Sequence, residues 1–307
     1  MSTITILDGG MGRELARIGA PFRQPEWSAL ALMEGPERVV EAHLNFVNAG
    51  AEVITTNSYA CVPFHIGEEG FAQRGRELAT LSGRLARNAA DNARESRGRE
   101  IRVAGSIPPV FGSYKPELFD QNAAFSIASV LIESLVPNID HWLVETISSI
   151  TEAQTMLAAI REFGDPIAVR PRWVSFTLAD TLTDGCARLR SGEAIAVAVE
   201  AIFGEVEAIL FNCSQPEVMT SAIAEAVNRL DELGNSAIRV GVYANAFVEV
   251  QSAPGSAANE TLSVLRDDLT PERYAAFAQE WISAGATIVG GCCGITPEHI
   301  HSLPSSK

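Results

Sequence analysis

Apolar residues gather along this chain in short, nearly unbroken runs, each ending in glycine or polar residues. The runs are ITILDGG (4–10), AEVITTNSY (51–59), IRVAGSIPP (101–109), HWLVETIS (141–148), RWVSFTL (172–178), EAILFNCS (207–214), IRVGVYAN (238–245) and ATIVGGCCG (286–294). Continuous rather than alternating apolar character predicts parallel strands buried on both faces. The segments between them carry helical periodicity. Segment 35–50 places Val39, Val40, Leu44 and Val47 on one stripe and ends at Gly50. Segment 74–94 is amphipathic and rich in Ala and Arg. Segment 148–164 opens on a capping box, Ser149 with Glu152, and stops at Gly164. Segment 214–234 repeats the pattern with Ser214 and Glu217, and 270–285 opens with a Thr270 cap followed by Pro271. Eight strands alternating with helices predict an α/β fold, a (β/α)8 TIM barrel, spanning 1–307 as a single domain. The alternative is an open doubly wound sheet, but no G-x-G-x-x-G follows the first run. The irregular stretch 246–269 reads as an active-site loop or a long surface connection.

Composition narrows the class. The 307 residues are 47% hydrophobic and 20% charged, an ordinary globular mix with room for one large barrel. No apolar run is long enough to span a membrane, and MSTITILDGG reads as a first strand rather than a signal peptide, so a cytoplasmic protein is expected. The net charge of −15 argues against nucleic acid or an anionic membrane as the main partner and says little else beyond solubility. Charge does not decide between a monomer and an oligomer. Five cysteines in a reducing compartment point to metal binding or catalysis rather than structural disulfides.

In a barrel of this kind the chemistry sits at the carboxyl ends of the strands. Those ends carry Asp8, Thr56, Asn57, Ser106, Glu145, Thr177, Cys213, Asn245, and the adjacent Cys292 and Cys293. Cys213 and the Cys292–Cys293 pair fall on the sixth and eighth runs, separated by one neighbour, so their thiolates can converge on Zn2+. Adjacent side chains on a regular strand point apart. Gly290, Gly291 and Gly294 would let the backbone turn both sulfurs to one ion. Cys61 and Cys186 read as small core residues. His299, the only nearby fourth ligand, reads as the surface of a helix opening at TPEH. Three thiolates make zinc a poor activator of water but suit a soft fourth ligand, above all a substrate thiol whose pKa the metal lowers. The rival readings are a zinc sensor without turnover and a zinc hydrolase, for which Glu145 is the available base.

The motifs LDGGMGRELARIG (7–19), Trp27-Ser28, HLNFVNAGAEVITTNSY (43–59), AGSIPP (104–109), ETI (145–147), SFTL (175–178), FNCSQPE (211–217) and GGCCGITPEHI (290–300) resemble the homocysteine S-methyltransferase family. They do so in order and over nearly the whole chain. The resemblance implies a zinc-dependent barrel that moves a methyl group to homocysteine, giving methionine, with Cys213, Cys292 and Cys293 on zinc. Asp8 and Glu145 match the positions that take the amino group, a sensible pairing of carboxylates with an ammonium. Gly9 and Gly10 would admit the amino acid close to backbone. Thr56, Asn57, Ser106 and Asn245 would line the same mouth. No cobalamin or folate module accompanies the barrel, so a small donor is expected: S-methylmethionine first, then S-adenosylmethionine or a betaine-like compound. Trp27, Tyr59, Phe111, Tyr114 and Tyr243 are candidates for facing the donor's positive charge. The family's G-S-x-G-P-Y-G and Y-P-N-x-G are here GSIPPVFGSY and YANAF, with Pro108 and Phe247 in place of glycines near the expected donor pocket. Another thiol or a selenol is the alternative acceptor.

Overall fold

A computed structural model describes residues 3–164, 170–235, 237–248 and 264–304. The eight apolar runs all become strands: β1 Thr5–Ile6, β2 Val53–Thr55, β3 Arg102–Ile107, β4 His141–Ile147, β5 Arg172–Phe176, β6 Ala208–Asn212, β7 Arg239–Tyr243 and β8 Ile288–Val289. They pair in parallel in the order β1-β8-β7-β6-β5-β4-β3-β2. A bridge between Leu7 and Val53 and the bond from Asp8 N–H to Val53 O (3.0 Å) bring β1 back to β2. The result is a (β/α)8 TIM barrel.

Both faces of the sheet are apolar for a simple reason: each meets packed side chains. Leu7, Val53, Leu143, Trp173, Leu210, Tyr243 and Ile288 fill the interior. Ile54, Val103, Val144, Val174, Ile209, Val242 and Val289 belong to the larger core beneath the helices. The strands are shorter than the runs that predict them, because the last residues of each run leave the ladder and become the mouth of the barrel.

The helices are α1 Met11–Arg17, α2 Ala29–Glu34, α3 Pro36–Ala49, α4 Pro63–Arg97, α5 Gln121–Leu135, α6 Ile150–Phe163, α7 Ile195–Ile202, α8 Pro216–Glu232, α9 Pro271–Ser283 and α10 Pro297–Ser302. The stripe expected on α3 is shifted: Val39 and Val47 are buried, with Ala42, His43 and Phe46, while Val40 and Leu44 are only partly covered. Helix α4 begins earlier than its pattern predicts and is broken at Gly67 (φ 73°). Helix α5 starts where the Asp120 side chain accepts from Ala123 N–H.

Ser149 caps α6 by accepting from Glu152 N–H (3.2 Å), and Glu152 reaches back to accept from Ser148 N–H (2.8 Å). Thr270 caps α9 as expected. Ser214 does not cap α8, whose N-cap is Gln215. The Ser214 hydroxyl instead accepts from Leu178 N–H (2.7 Å), tying the loop after β5 to the end of β6. Most of the irregular stretch 246–269 lies outside the described residues, and its flanks meet where Phe247 bridges Leu265. Among the described residues, no helix is long and apolar enough to cross a membrane.

Candidate active site

Cys213 follows β6, and Cys292 and Cys293 follow β8, so two strand ends separated by β7 supply three sulfur atoms. These lie within 4.8 Å of one another, with Cys213 Sγ 3.9 Å from Cys293 Sγ. Among the described residues this is the one such group of Cys, His, Asp or Glu ligand atoms. The backbone is arranged to bring the sulfurs together. Cys213 itself has a positive φ of 50°, outside the range comfortable for a side chain with a Cβ. Gly294 has φ 83° and lets the cysteine turn close. Cys292 N–H donates to Ala244 O (2.9 Å), Gly291 N–H to Asp8 O (2.9 Å), and Cys293 O accepts from Ala246 N–H (2.8 Å). The loop after β8 is thus sewn to the ends of β1 and β7.

Hydrogen bonds from the Cys292 and Cys293 thiols, joined by Tyr114 and Asn245, hold the Cys213 thiol well below its ordinary pKa. The same exchange, with burial, pushes Cys292 and Cys293 up. Three sulfurs within 4.8 Å of one another fit a single metal ion. Cys61 is fully buried in the core, as expected, but Cys186 is exposed in the turn it forms with Thr183. His299 is buried rather than on the surface. One ring nitrogen meets the Thr296 hydroxyl (2.8 Å) and the other Leu269 O (2.9 Å), so it braces α10 and is no ligand.

Beside the sulfurs is a pocket lined by Asp8, Gly9, Gly10, Arg13, Trp27, Thr55, Thr56, Asn57, Tyr59, Tyr114, Glu145, Tyr243 and Phe247. Asp8 and Glu145 are 5% and 7% exposed. Desolvation raises each to a pKa of about 7, against hydrogen bonds that favour the charged form. For Asp8 those bonds come from Thr55 N–H (2.7 Å) and Thr55 Oγ1 (3.1 Å). For Glu145 they come from the Ser106 hydroxyl (2.5 Å) and the Tyr243 hydroxyl (3.3 Å). Two buried carboxylates that line one cavity can pair with a cation there.

Several expected site residues stand one layer back. Ser106 and Asn245 do not line the pocket: Ser106 orients Glu145, while Asn245 Nδ2 lies 3.8 Å from Cys213 Sγ and its Oδ1 accepts from Phe247 N–H (3.2 Å). Thr177 meets the Ser214 hydroxyl instead of the cavity. Thr56 and Asn57 do line it. Asn57 Nδ2 donates to Ser28 O (3.0 Å), and its buried Oδ1 has no partner among the described residues. Gly9 and Gly10 serve the protein's own packing first. A Cβ on Gly10 would lie 2.7 Å from Cys292 O, and one on Gly9 2.5 Å from Ile295 O. Phe111 packs on Phe119 and Pro108 is buried, both away from the lining, whereas Phe247 forms part of it.

Residues that the sequence did not single out do much of the positioning. Thr55 clamps Asp8. Asn212, next to Cys213, accepts from Thr146 N–H (3.0 Å) and donates to Thr146 Oγ1 (2.9 Å), holding the residue after Glu145 at φ 60°. Trp27, Tyr114, Thr146 and Cys213 all combine a positive φ with a place in the pocket wall. Strained non-glycine residues concentrated at one cavity are a mark of function.

Known proteins agree with this geometry. The chain is similar to homocysteine S-methyltransferase YbgG of Bacillus subtilis, with 28% identity over 98% of this chain and 93% of that one. It is similar to the selenocysteine methyltransferase of Astragalus bisulcatus, with 26% identity over 97% of this chain and 90% of that one. The metallated form of homocysteine methyltransferase MmuM from Escherichia coli superposes with a TM-score of 0.77 at 25% identity, covering 98% and 95% of the two chains. The family model described as homocysteine S-methyltransferase matches residues 5–306, from the first strand to beyond the last helix. This chain therefore belongs to the homocysteine S-methyltransferase family.

Proposed function

We propose that this protein transfers a methyl group from a small sulfonium donor, S-methylmethionine first among them, to the thiol of homocysteine, with zinc held by Cys213, Cys292 and Cys293. The observation that carries the reading is the convergence of three sulfurs beside two buried carboxylates in one pocket. Zinc with sulfur at about 2.3 Å in tetrahedral geometry places its ligands about 3.8 Å apart. The separation of 3.9 Å between Cys213 and Cys293 fits that spacing. Bound zinc supplies the Lewis acidity that keeps a coordinated substrate thiol ionised at neutral pH.

The chain's own residues do the rest. Asp8 and Glu145 bind the homocysteine ammonium, which draws both carboxylates into their charged form. Ser106, Tyr243 and Thr55 keep the two groups aimed. Trp27, Tyr59, Tyr114 and Phe247 wall the pocket and present aromatic faces to the sulfonium. In the transfer the substrate sulfur forms a bond to the methyl carbon as the carbon–sulfonium bond breaks. The departing neutral sulfide keeps that electron pair, so the step itself moves no proton. Positioning carries most of the rate.

A selenol-bearing amino acid is the second acceptor to test, on the similarity to a selenocysteine methyltransferase. The hydrolase reading has less support, because Glu145, its available base, is already engaged by Ser106 and Tyr243.

The test is direct. Zinc-loaded protein is given homocysteine with S-methylmethionine, S-adenosylmethionine, betaine or dimethylsulfoniopropionate, and methionine is followed by mass spectrometry. S-Methylmethionine is expected to support turnover, and Cys292→Ser to lose both metal and turnover. A Cys292→Ser variant that keeps full metal and full activity contradicts the reading.

A further inference from the structure

The Cys213 sulfur is held from outside the three-cysteine cluster, through contacts that run from Asp180 to Arg190, Tyr114 and Cys213. Tyr114, in the loop after β3, sits at φ 65° and projects its hydroxyl onto Cys213. The Tyr114 Oη lies 2.9 Å from Cys213 Sγ and 3.2 Å from Cys213 O. The Arg190 guanidinium stacks on the Tyr114 ring, 4.8 Å from its centroid. Arg190 is fixed by two bonds to Asp180, at 3.1 and 3.2 Å, and the two side chains are only 19% and 14% exposed. Both residues belong to a hairpin-like loop after β5 that folds back where Leu178 bridges Leu189. That loop is anchored at its base by the Ser214 hydroxyl, on the residue following Cys213. The same loop therefore holds Cys213 twice: along the chain through Ser214, and across the pocket through Tyr114.

We propose that Tyr114, clamped by Asp180 and Arg190, is a positioning residue for the metal centre: its hydroxyl donates to the Cys213 thiolate and sets how much charge that sulfur gives the metal. This rests on the zinc reading above. A thiolate that accepts an O–H bond is a weaker donor, so the metal stays more electrophilic toward the substrate sulfur. The shared lone pair also makes Cys213 a poorer base and a poorer nucleophile. That matters in a pocket where a methyl donor meets protein sulfurs as well as the substrate's. Outer groups of this kind commonly control metal affinity by about 10- to 100-fold. Partial burial makes the clamp stiff, since a stacked arginine tied at both terminal nitrogens to a carboxylate has few alternative positions.

The experiment uses the full chain with zinc or cobalt(II) as probe. Tyr114→Phe removes the hydroxyl and leaves the ring under Arg190. Its zinc affinity, from chelator competition, is expected to fall about 10- to 100-fold, because loss of the fixed Cys213 position outweighs the gain in donor strength. The sulfur-to-cobalt charge-transfer band of the cobalt form is expected to move to lower energy, a change that a general packing defect does not produce. Arg190→Met keeps the hydroxyl but frees the ring, and is expected to move both readouts in the same direction by less. The double variant is expected to be no weaker than Tyr114→Phe alone, because both act through one bond. Arg190→Met carries the same test if Tyr114→Phe folds poorly. A wild-type chain that binds zinc through three sulfurs, with variants of unchanged affinity and unchanged cobalt spectrum, overturns this proposal alone. A wild-type chain that binds no metal there overturns the zinc reading and this proposal with it.

Discussion

Glu145→Gln isolates the carboxylate proposed to recognise the acceptor's ammonium. The substitution keeps the shape of a side chain that is 7% exposed and removes its charge. Gln can still accept from the Ser106 hydroxyl, which lies 2.5 Å from Glu145 Oε1. Its amide nitrogen then faces the Tyr243 hydroxyl, at 3.3 Å from Oε2, and an ammonium it can no longer pair. Loss of one buried, charge-assisted contact costs about 2–4 kcal/mol. That is roughly a 30- to 1000-fold rise in KM for homocysteine. The metal cluster is untouched, so kcat at saturation is expected to stay within about tenfold. Initial rates of methionine formation at saturating donor give KM and kcat, and calorimetric titration of homocysteine gives the binding constant separately. A KM within about threefold of wild type would refute the assignment of Glu145 to the ammonium.

The remaining expectations concern pH, packing and the unused cysteines. Burial raises Asp8 and Glu145 to about 7, and the ammonium needs them ionised, so binding must release their protons below that pH. KM for homocysteine is expected to rise between pH 8 and pH 6, by up to roughly tenfold per unit for each carboxylate. Glu145→Gln should remove one of the two steps. By the same sign, these groups favour the metal-free fold most below their unfolded pKa and lose that contribution as pH rises through about 7. Thermal unfolding of apoprotein from pH 5 to 8 checks it. Gly10→Ala places a Cβ 2.7 Å from Cys292 O and should cost about 1–3 kcal/mol of stability and weaken metal binding, read by unfolding and chelator competition. Cys61→Ala and Cys186→Ser should leave the metal content unchanged by elemental analysis.

The barrel was legible because parallel strands buried on both faces write an unbroken apolar run, and each of the eight runs became a strand. The three-cysteine cluster was legible for a related reason: the barrel places its strand ends together, and Cys213, Cys292 and Cys293 follow two of them. What escaped the sequence was the aim of side chains on irregular backbone. Tyr114 was a candidate wall residue, but its contact with Cys213 depends on a φ of 65° that no pattern announces. Thr55 looked like an ordinary strand residue, yet both its N–H and its hydroxyl hold Asp8. Ser214 had the spacing of a cap and was drawn instead to Leu178 N–H, because a neighbouring strand end offered a buried donor. His299 looked exposed from the polar TPEH context, and only packing against α9 and the loop before it shows the ring enclosed.

X-ray absorption at the zinc edge tests the central claim most directly, because it counts sulfur neighbours. The account expects three sulfurs from Cys213, Cys292 and Cys293 in the protein alone, and four once homocysteine is added. A first shell that does not gain sulfur on adding homocysteine, while the protein still makes methionine, would contradict it.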